Sequence, residues 1–201
     1  MDYLPGVHLD RFLASQPTQA ERDRYGTLIL RSTMRLFYRA RLVYSDISPG
    51  NYIFMPDGRL GLIDFGSSRL FSDEEWEYSC QMHRASRLGE EARRAAIRRQ
   101  ATGSEIRGVS DEYMKTAEQL NEWSQRPLHA PGPFDFGNDA YFKEGVQLLA
   151  RLQTVGYYRN EPINLWLIRA FFSVRALLNR LGARVDMHRE MDAESPPHIW
   201  A

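Results

Sequence analysis

The sequence has one cysteine, two lysines and no long hydrophobic run. The single cysteine, Cys80, excludes an internal disulfide and any CxxC zinc or redox motif, so we expect a packed thiol. The most apolar segment, 163–174, contains Arg169 and is too short for a membrane-spanning helix of roughly 20 residues. Zero formal net charge gives no general affinity for nucleic acid. Without a visible signal peptide, we expect an intracellular protein that is soluble or peripherally membrane-associated.

The composition and the helix signals favour a globular fold that is rich in helices. The 201 residues, 43% of them hydrophobic, suit one domain, or one large lobe with a tail. Capping signals and helical spacing predict helices at 7–14, from 19 onward, from 73 toward Gln100, and at 110–125, 139–154 and about 162–181. We interpret the arginines of the helix from 73 as a solvated face, and the last helix as core first and a membrane or partner surface second. The end of the chain, with Pro196-Pro197, is expected to fray.

The stretch that organises the chain is 44–66, YSDISPGNYIFMPDGRLGLIDFG. Asp46 and Asn51 have the D-x-x-x-x-N spacing of a kinase catalytic loop. In such a loop the Asp accepts the proton of the attacking hydroxyl, and the Asn amide oxygen holds a magnesium ion. We therefore predict that Asp46 is catalytic and that Asn51 is a metal ligand.

Two short apolar runs around Pro56-Asp57-Gly58 predict a β-hairpin that ends at Asp64. A two-residue turn would place Asn51 directly opposite Asp64. A three-residue loop with Gly58 left-handed would instead place Asn51 opposite Ile63, with Asp64 one residue further on. In both registers Asn51 and Asp64 are neighbours, so one Mg²⁺ could touch both side chains.

Asp64 begins an Asp-Phe-Gly triplet, and the same triplet recurs at 135–137. The first copy follows an apolar strand and a D-x-x-x-x-N loop, as a metal-binding Asp in a kinase does. The second copy has no such loop, and Pro131 and Pro133 oppose a strand before it. We predict that Asp64 binds metal and that Asp135 is catalytically irrelevant.

SDISPGN followed by a hairpin and LIDFG resembles the UbiB/AarF/ADCK family of atypical kinases, whose loop usually reads ADPHPGN. Asp46, Pro49, Gly50 and Asn51 match that loop, whereas Ser45, Ile47 and Ser48 depart from it. PFDFG at 133–137 looks like a structural loop of the same family. The resemblance implies an α+β, mainly α fold: the C-terminal lobe of a protein-kinase-like fold over residues 1–182, with one catalytic hairpin and a tail at 183–201.

The opening MDYLPG resembles the hinge between the two kinase lobes, which implies that Met1 and Tyr3 contact the adenine of ATP. No GxG occurs in the sequence, and Lys115 and Lys143 lie in polar helical contexts. We therefore expect that the amino-terminal lobe, with its phosphate-gripping lysine and loop, is missing. Little or no turnover is expected from the 201 residues alone.

The resemblance implies ATP- and Mg²⁺-dependent phosphotransfer or ATP hydrolysis that supports isoprenoid quinone (ubiquinone) or other lipid metabolism. The expected partners are a nucleotide, a lipid or quinone-precursor substrate and the missing lobe, with peripheral membrane contact also open. Two alternatives remain: a small-molecule kinase similar to the aminoglycoside phosphotransferases, and a non-catalytic interaction module.

Overall fold

The computed structural model describes residues 3–102, 110–155, 162–195 and 197. Over these residues the fold is mainly helical with short antiparallel strands, as predicted. The helices are α1 Leu9–Ala14, α2 Gln19–Ala40, α3 Asp73–Arg87, α4 Glu91–Thr102, α5 Asp111–Gln125, α6 Asp139–Thr154, α7 Pro162–Leu181 and α8 Met187–Glu194. The strands are β1 Leu42–Tyr44, β2 Tyr52–Phe54, β3 Leu60–Leu62, β4 Ser68–Leu70, β5 Phe134–Asp135 and β6 Arg184–Val185.

Helix α2 is the central scaffold, and it leads directly to the strand that precedes the D-x-x-x-x-N loop. Its start is fixed by the predicted capping box, in which Thr18 and Glu21 each accept the other's backbone N–H. Its end is fixed by Arg41, which takes a left-handed conformation at φ 49°. The buried face includes Ile29, Leu30, Met34 and Phe37.

The hairpin β2–β3 packs against α2 and against the start of the chain. The rings of Phe12, Tyr25 and Phe54 pack together, with centroids 4.7 to 4.9 Å apart. The Tyr25 hydroxyl donates to the Met55 carbonyl at 2.6 Å. Val7 pairs with Phe54 through two backbone hydrogen bonds, so the segment before α1 lies beside the hairpin.

The helix expected from 73 toward Gln100 is two helices. Its first capping box is confirmed at Ser72 and Glu75, but the chain breaks between α3 and α4 at Gly89, which adopts φ +68°. The interpretation of the arginines as a solvated face is also wrong for one of them. Arg94 of α4 is only 2% exposed and pairs with Glu91.

The expectation of a frayed end is wrong for residues 184–194. Strand β6 pairs with β5, and α8 packs along α2 through two buried carboxylates. Glu190 pairs with Arg31 at 2.7 Å, and Glu194 pairs with Arg35 at 2.8 Å and with Arg39 at 3.0 Å. The partners are separated by about 160 residues of sequence, which explains why local composition did not reveal them.

Helix α7 is chiefly a core helix, in agreement with the first of the two interpretations. Val174, Leu177 and Leu178 are at most 2% exposed, whereas Leu165 is 61% exposed. Its predicted end is confirmed by Gly182 at φ +65°, while its expected cap, Asn160, lies outside the described residues. Within the described part of the chain, no helix is long and apolar enough to cross a membrane.

Candidate functional site

The hairpin adopts the three-residue loop of the two predicted registers. Ile53 faces Gly61, and the Ile63 N–H donates to the Asn51 carbonyl at 3.0 Å. Gly58 occupies the left-handed region at φ +79°, which closes the loop after Pro56 and Asp57. The two-residue alternative is therefore wrong, and Asp64 lies one residue beyond the position opposite Asn51.

Asp46 and Asn51 are in direct contact. The Asn51 Nδ2 donates to the Asp46 backbone oxygen at 3.0 Å and to the Asp46 Oδ2 at 3.1 Å. The intervening loop is shaped by Ser48, whose N–H donates to the Asp46 carbonyl at 2.8 Å and whose Oγ accepts from the Gly50 N–H at 3.4 Å. The amide thus fixes the orientation of a carboxylate that remains 37% exposed.

Tyr44 joins the loop to the end of the hairpin. Its buried ring lies under the site, and its hydroxyl donates to the Ile63 carbonyl at 3.0 Å. Burial raises the pKa of this hydroxyl, and the negative charges of Asp46 and Asp64 raise it further, while a hydrogen bond with Asn51 opposes the shift. The Tyr44 hydroxyl therefore lies within electrostatic reach of both carboxylates and of the amide.

Asp64 is exposed and has an unusual backbone conformation. Its φ is +58°, a left-handed value that Asp tolerates better than most residues. The Oδ1 accepts from the Gly66 N–H at 3.1 Å, which turns the chain away from β3.

The structure says little about the two residues that are predicted to contact adenine. Met1 lies outside the described residues. Tyr3 is 87% exposed, and its role in nucleotide binding stays a prediction. The next residue, Leu4, does lie against β3, since a Cβ built on Gly61 would come within 2.7 Å of the Leu4 Cδ1.

Comparisons with known proteins agree with the loop and hairpin motifs. Residues 1–94 match the family of the ABC1 atypical kinase-like domain. This match spans Asp46, Asn51 and Asp64, and it confirms the predicted resemblance. No curated protein matches the chain.

A solved structure shares the fold of the whole chain. It is the complex of Rv3197 with erythromycin from Mycobacterium tuberculosis, with a TM-score of 0.68 and 21% sequence identity. The similarity covers 100% of this chain and 49% of that one. The chain therefore spans about half the length of that protein.

One residue outside the ABC1-matched region reaches the site and was not predicted. Arg169 of α7 places its Nη2 4.0 Å from the Asp46 Oδ1 and is itself 62% exposed. The family loop usually has a His two residues after the Asp, where this chain has Ser48. No local pattern marks Arg169, because its proximity to Asp46 results from the packing of α7 beside β1.

The second Asp-Phe-Gly triplet lies in a structural loop. Phe136 is 1% exposed, its N–H donates to the Ala183 carbonyl, and its carbonyl accepts from Asn179. Asp135 pairs with Arg184 in the β5–β6 ladder, which corrects the expectation that the prolines prevent a strand here. The Asp135 Oδ1 accepts from the Gly137 N–H at 3.0 Å, which is the same hydrogen bond that Asp64 forms with Gly66.

Proposed function

We propose that this chain contributes the catalytic loop and metal ligands of a UbiB-like atypical kinase or ATPase. In this proposal Asp46 is the base, or the residue that orients water, and Asn51 and Asp64 hold Mg²⁺. The contact between Asn51 and Asp46 carries the proposal, because it brings together the two side chains that the D-x-x-x-x-N spacing pairs in a kinase catalytic loop.

Asp46 has the properties that its role requires. Its carboxylate is partly exposed, so a substrate hydroxyl or a water can approach it. The Asn51 Nδ2 holds one carboxylate oxygen, which leaves the other oxygen to accept a proton. Arg169 near that second oxygen adds positive charge where a phosphoryl group would carry negative charge, and we include it as a positioning residue.

The donor chemistry fits a magnesium ion. Because the Asn51 Nδ2 is engaged by Asp46, the Asn51 Oδ1 is the amide atom suited to a cation. Asp64 supplies a second hard oxygen ligand from an exposed carboxylate. Within the described residues, no group of three or more His, Cys, Asp or Glu could hold a metal. A site of one amide and one carboxylate suits Mg²⁺, which usually completes its shell with water and substrate phosphates.

The bound Mg–ATP would supply the phosphoryl group and neutralise its charge. The residues of this chain then act by position: Asn51 keeps Asp46 oriented, and Asp46 accepts a proton at its exposed oxygen. The Tyr44 hydroxyl holds the end of β3, which keeps Asp64 next to the loop. Such positioning accounts for most of the catalysis in phosphoryl transfer.

For the acceptor, we propose an isoprenoid quinone precursor or another lipid, on the basis of the family resemblance. A small-molecule kinase is the second candidate, since the structure that shares the fold was determined with erythromycin. A non-catalytic interaction module is the third, because the sequence has no GxG and only two lysines, both distant in sequence from the loop. For that reason we also expect weak nucleotide affinity and little turnover from these 201 residues.

The test separates binding from chemistry. Calorimetric titration of the chain with ATP, with and without Mg²⁺, should show binding that depends on Mg²⁺. Asn51→Ala should weaken it by about tenfold or more, because one ligand of the metal ion is lost. Asp46→Asn should leave the affinity nearly unchanged and abolish any residual phosphate release. Binding that ignores Mg²⁺, or that survives Asn51→Ala unaltered, would contradict the proposal.

A further inference from the structure

A large cavity lies among the helices, away from the loop and hairpin. Its volume is about 740 Å³, and residues from each of the helices α2 to α8 line it. None of Asp46, Asn51 and Asp64 lines it. The volume is within the range of pockets that hold drug-sized ligands, roughly 300 to 1,000 Å³.

The walls of this cavity are apolar and adaptable. Five of the seven methionines in the sequence line it: Met34, Met82, Met114, Met187 and Met191. Methionine side chains are flexible and polarisable, and they recur in surfaces that accept varied apolar partners. The wall also contains His83, whose pKa is lowered to about 4 by burial, so its ring is neutral at pH 7.

One cation lies in this apolar wall without an acidic partner. Arg175 is 5% exposed, and its nitrogens donate to the Tyr141 hydroxyl at 3.3 Å, the Phe171 carbonyl at 3.1 Å and the Ser124 carbonyl at 2.7 Å. Its guanidinium also stacks over Trp123 at 5.3 Å. No carboxylate of the described residues forms a salt bridge with it.

The charged residues that line the cavity differ in how strongly they influence its interior. The other charged residues that line the cavity are Glu91, Asp111, Lys115 and Glu118. All four are exposed, so solvent screens them. The charge of Arg175 acts through a less polar medium and is felt more strongly inside the cavity. The interior should accordingly favour a group that carries negative charge.

We propose that the cavity is a binding site for an apolar molecule with one anionic group, such as a carboxylate or a sulfonate. The apolar body packs among the methionines, and the anionic group lies toward Arg175. This inference does not depend on phosphoryl transfer, and Mg–ATP should not displace the ligand.

Two fluorescent probes with one aromatic skeleton test the proposal. They are 1-anilinonaphthalene-8-sulfonate, which is anionic, and N-phenyl-1-naphthylamine, which lacks the sulfonate. The sulfonate probe should bind one saturable site per chain. Arg175→Gln should weaken the affinity for the sulfonate probe by about tenfold, because a charged hydrogen-bond donor is lost. The affinity for the uncharged probe should change far less. Arg175→Lys, which keeps the charge, should retain the preference.

Neighbouring alanines of α4 provide a matched control for the location. Ala95 lines the cavity, whereas Ala96 is exposed and does not. Ala95→Trp should fill the site and weaken both probes by at least about tenfold, since a cavity-filling side chain excludes the ligand, and Ala96→Trp should leave both unchanged. Ala117→Leu on α5 is a milder filling variant if Ala95→Trp melts early.

Three results would overturn the inference. The first is the absence of a saturable probe site in a chain that melts cooperatively. The second is unchanged binding in folded Ala95→Trp and Ala117→Leu. The third is a dimer by light scattering that binds no probe, which would mean that a second copy covers the cavity.

Discussion

His83 should make the folded protein lose stability in mild acid. Its ring stacks on Phe37, with centroids 4.6 Å apart, and its Nδ1 is hydrogen-bonded to the Tyr38 hydroxyl at 3.0 Å. Burial lowers the pKa of His83 from the ordinary 6.5 to about 4. A protonated ring would have to remain in this mostly desolvated position at the cavity wall, or its packing against Phe37 would have to loosen.

The direction and size of the stability change follow from the difference between the two pKa values of His83. In the unfolded chain His83 protonates near pH 6.5. Between pH 6.5 and 4 the unfolded state therefore binds a proton that the folded state does not bind. The contribution of neutral His83 to the free energy of unfolding is fully present above pH 6.5 and is lost as the pH falls from 6.5 to 4. At about 1.36 kcal/mol per pKa unit, the total loss is about 3 kcal/mol, of which about 2 kcal/mol is lost by pH 5.

Urea denaturation at pH 7 and pH 5 measures the effect. The control variant is His83→Asn, whose amide can replace the Nδ1 hydrogen bond without titrating. The wild type should lose about 2 kcal/mol more than this variant between the two pH values. Acidic groups such as Glu194 are common to both proteins, so their contributions cancel. Equal losses in the two proteins would refute the assignment of a buried, neutral His83.

Two further changes test the packing. Gly145→Ala should destabilise the protein by about 1 to 3 kcal/mol, because a Cβ there would lie 2.1 Å from the buried Trp123 ring; Gly132→Ala, which meets no atom within 4 Å, should stay within about 0.5 kcal/mol in the same thermal melts. Glu194→Gln should cost about 2 kcal/mol in urea unfolding, because it removes the charge partner of Arg35 from a buried position. No change would show that the ion pairs of Glu194 do not stabilise the fold.

Local signals predicted those elements whose cause is local. The capping boxes at Thr18 and Ser72 were correct, because each depends on residues three positions apart. The hairpin was also predicted, but its register depended on the backbone angle of Gly58, which composition does not determine. The break at Gly89 has no clear local signal, because helical spacing continues on both sides of it.

Long-range packing set the limit of the sequence analysis. The ion pairs between α2 and α8 have a weak signal in the sequence. Arg31, Arg35 and Arg39 repeat every four residues, and so do Glu190 and Glu194. A match between these two patterns could have suggested that the helices pair. Neither the approach of Arg169 to Asp46 nor the cavity had any signal, because both depend on how whole helices cross.

The two Asp-Phe-Gly triplets allow the most direct test of the proposed metal site. Manganese binding in the presence of ADP can be followed by the loss of the free Mn²⁺ electron paramagnetic resonance signal. Both aspartates are exposed and accept from the glycine N–H two residues on, so Asp64→Asn and Asp135→Asn are matched changes. Asp64→Asn should weaken Mn²⁺ binding by at least about tenfold, because a charged ligand is lost, and Asp135→Asn should leave it unchanged. Equal affinities in the two variants would contradict the assignment of Asp64 as a metal ligand.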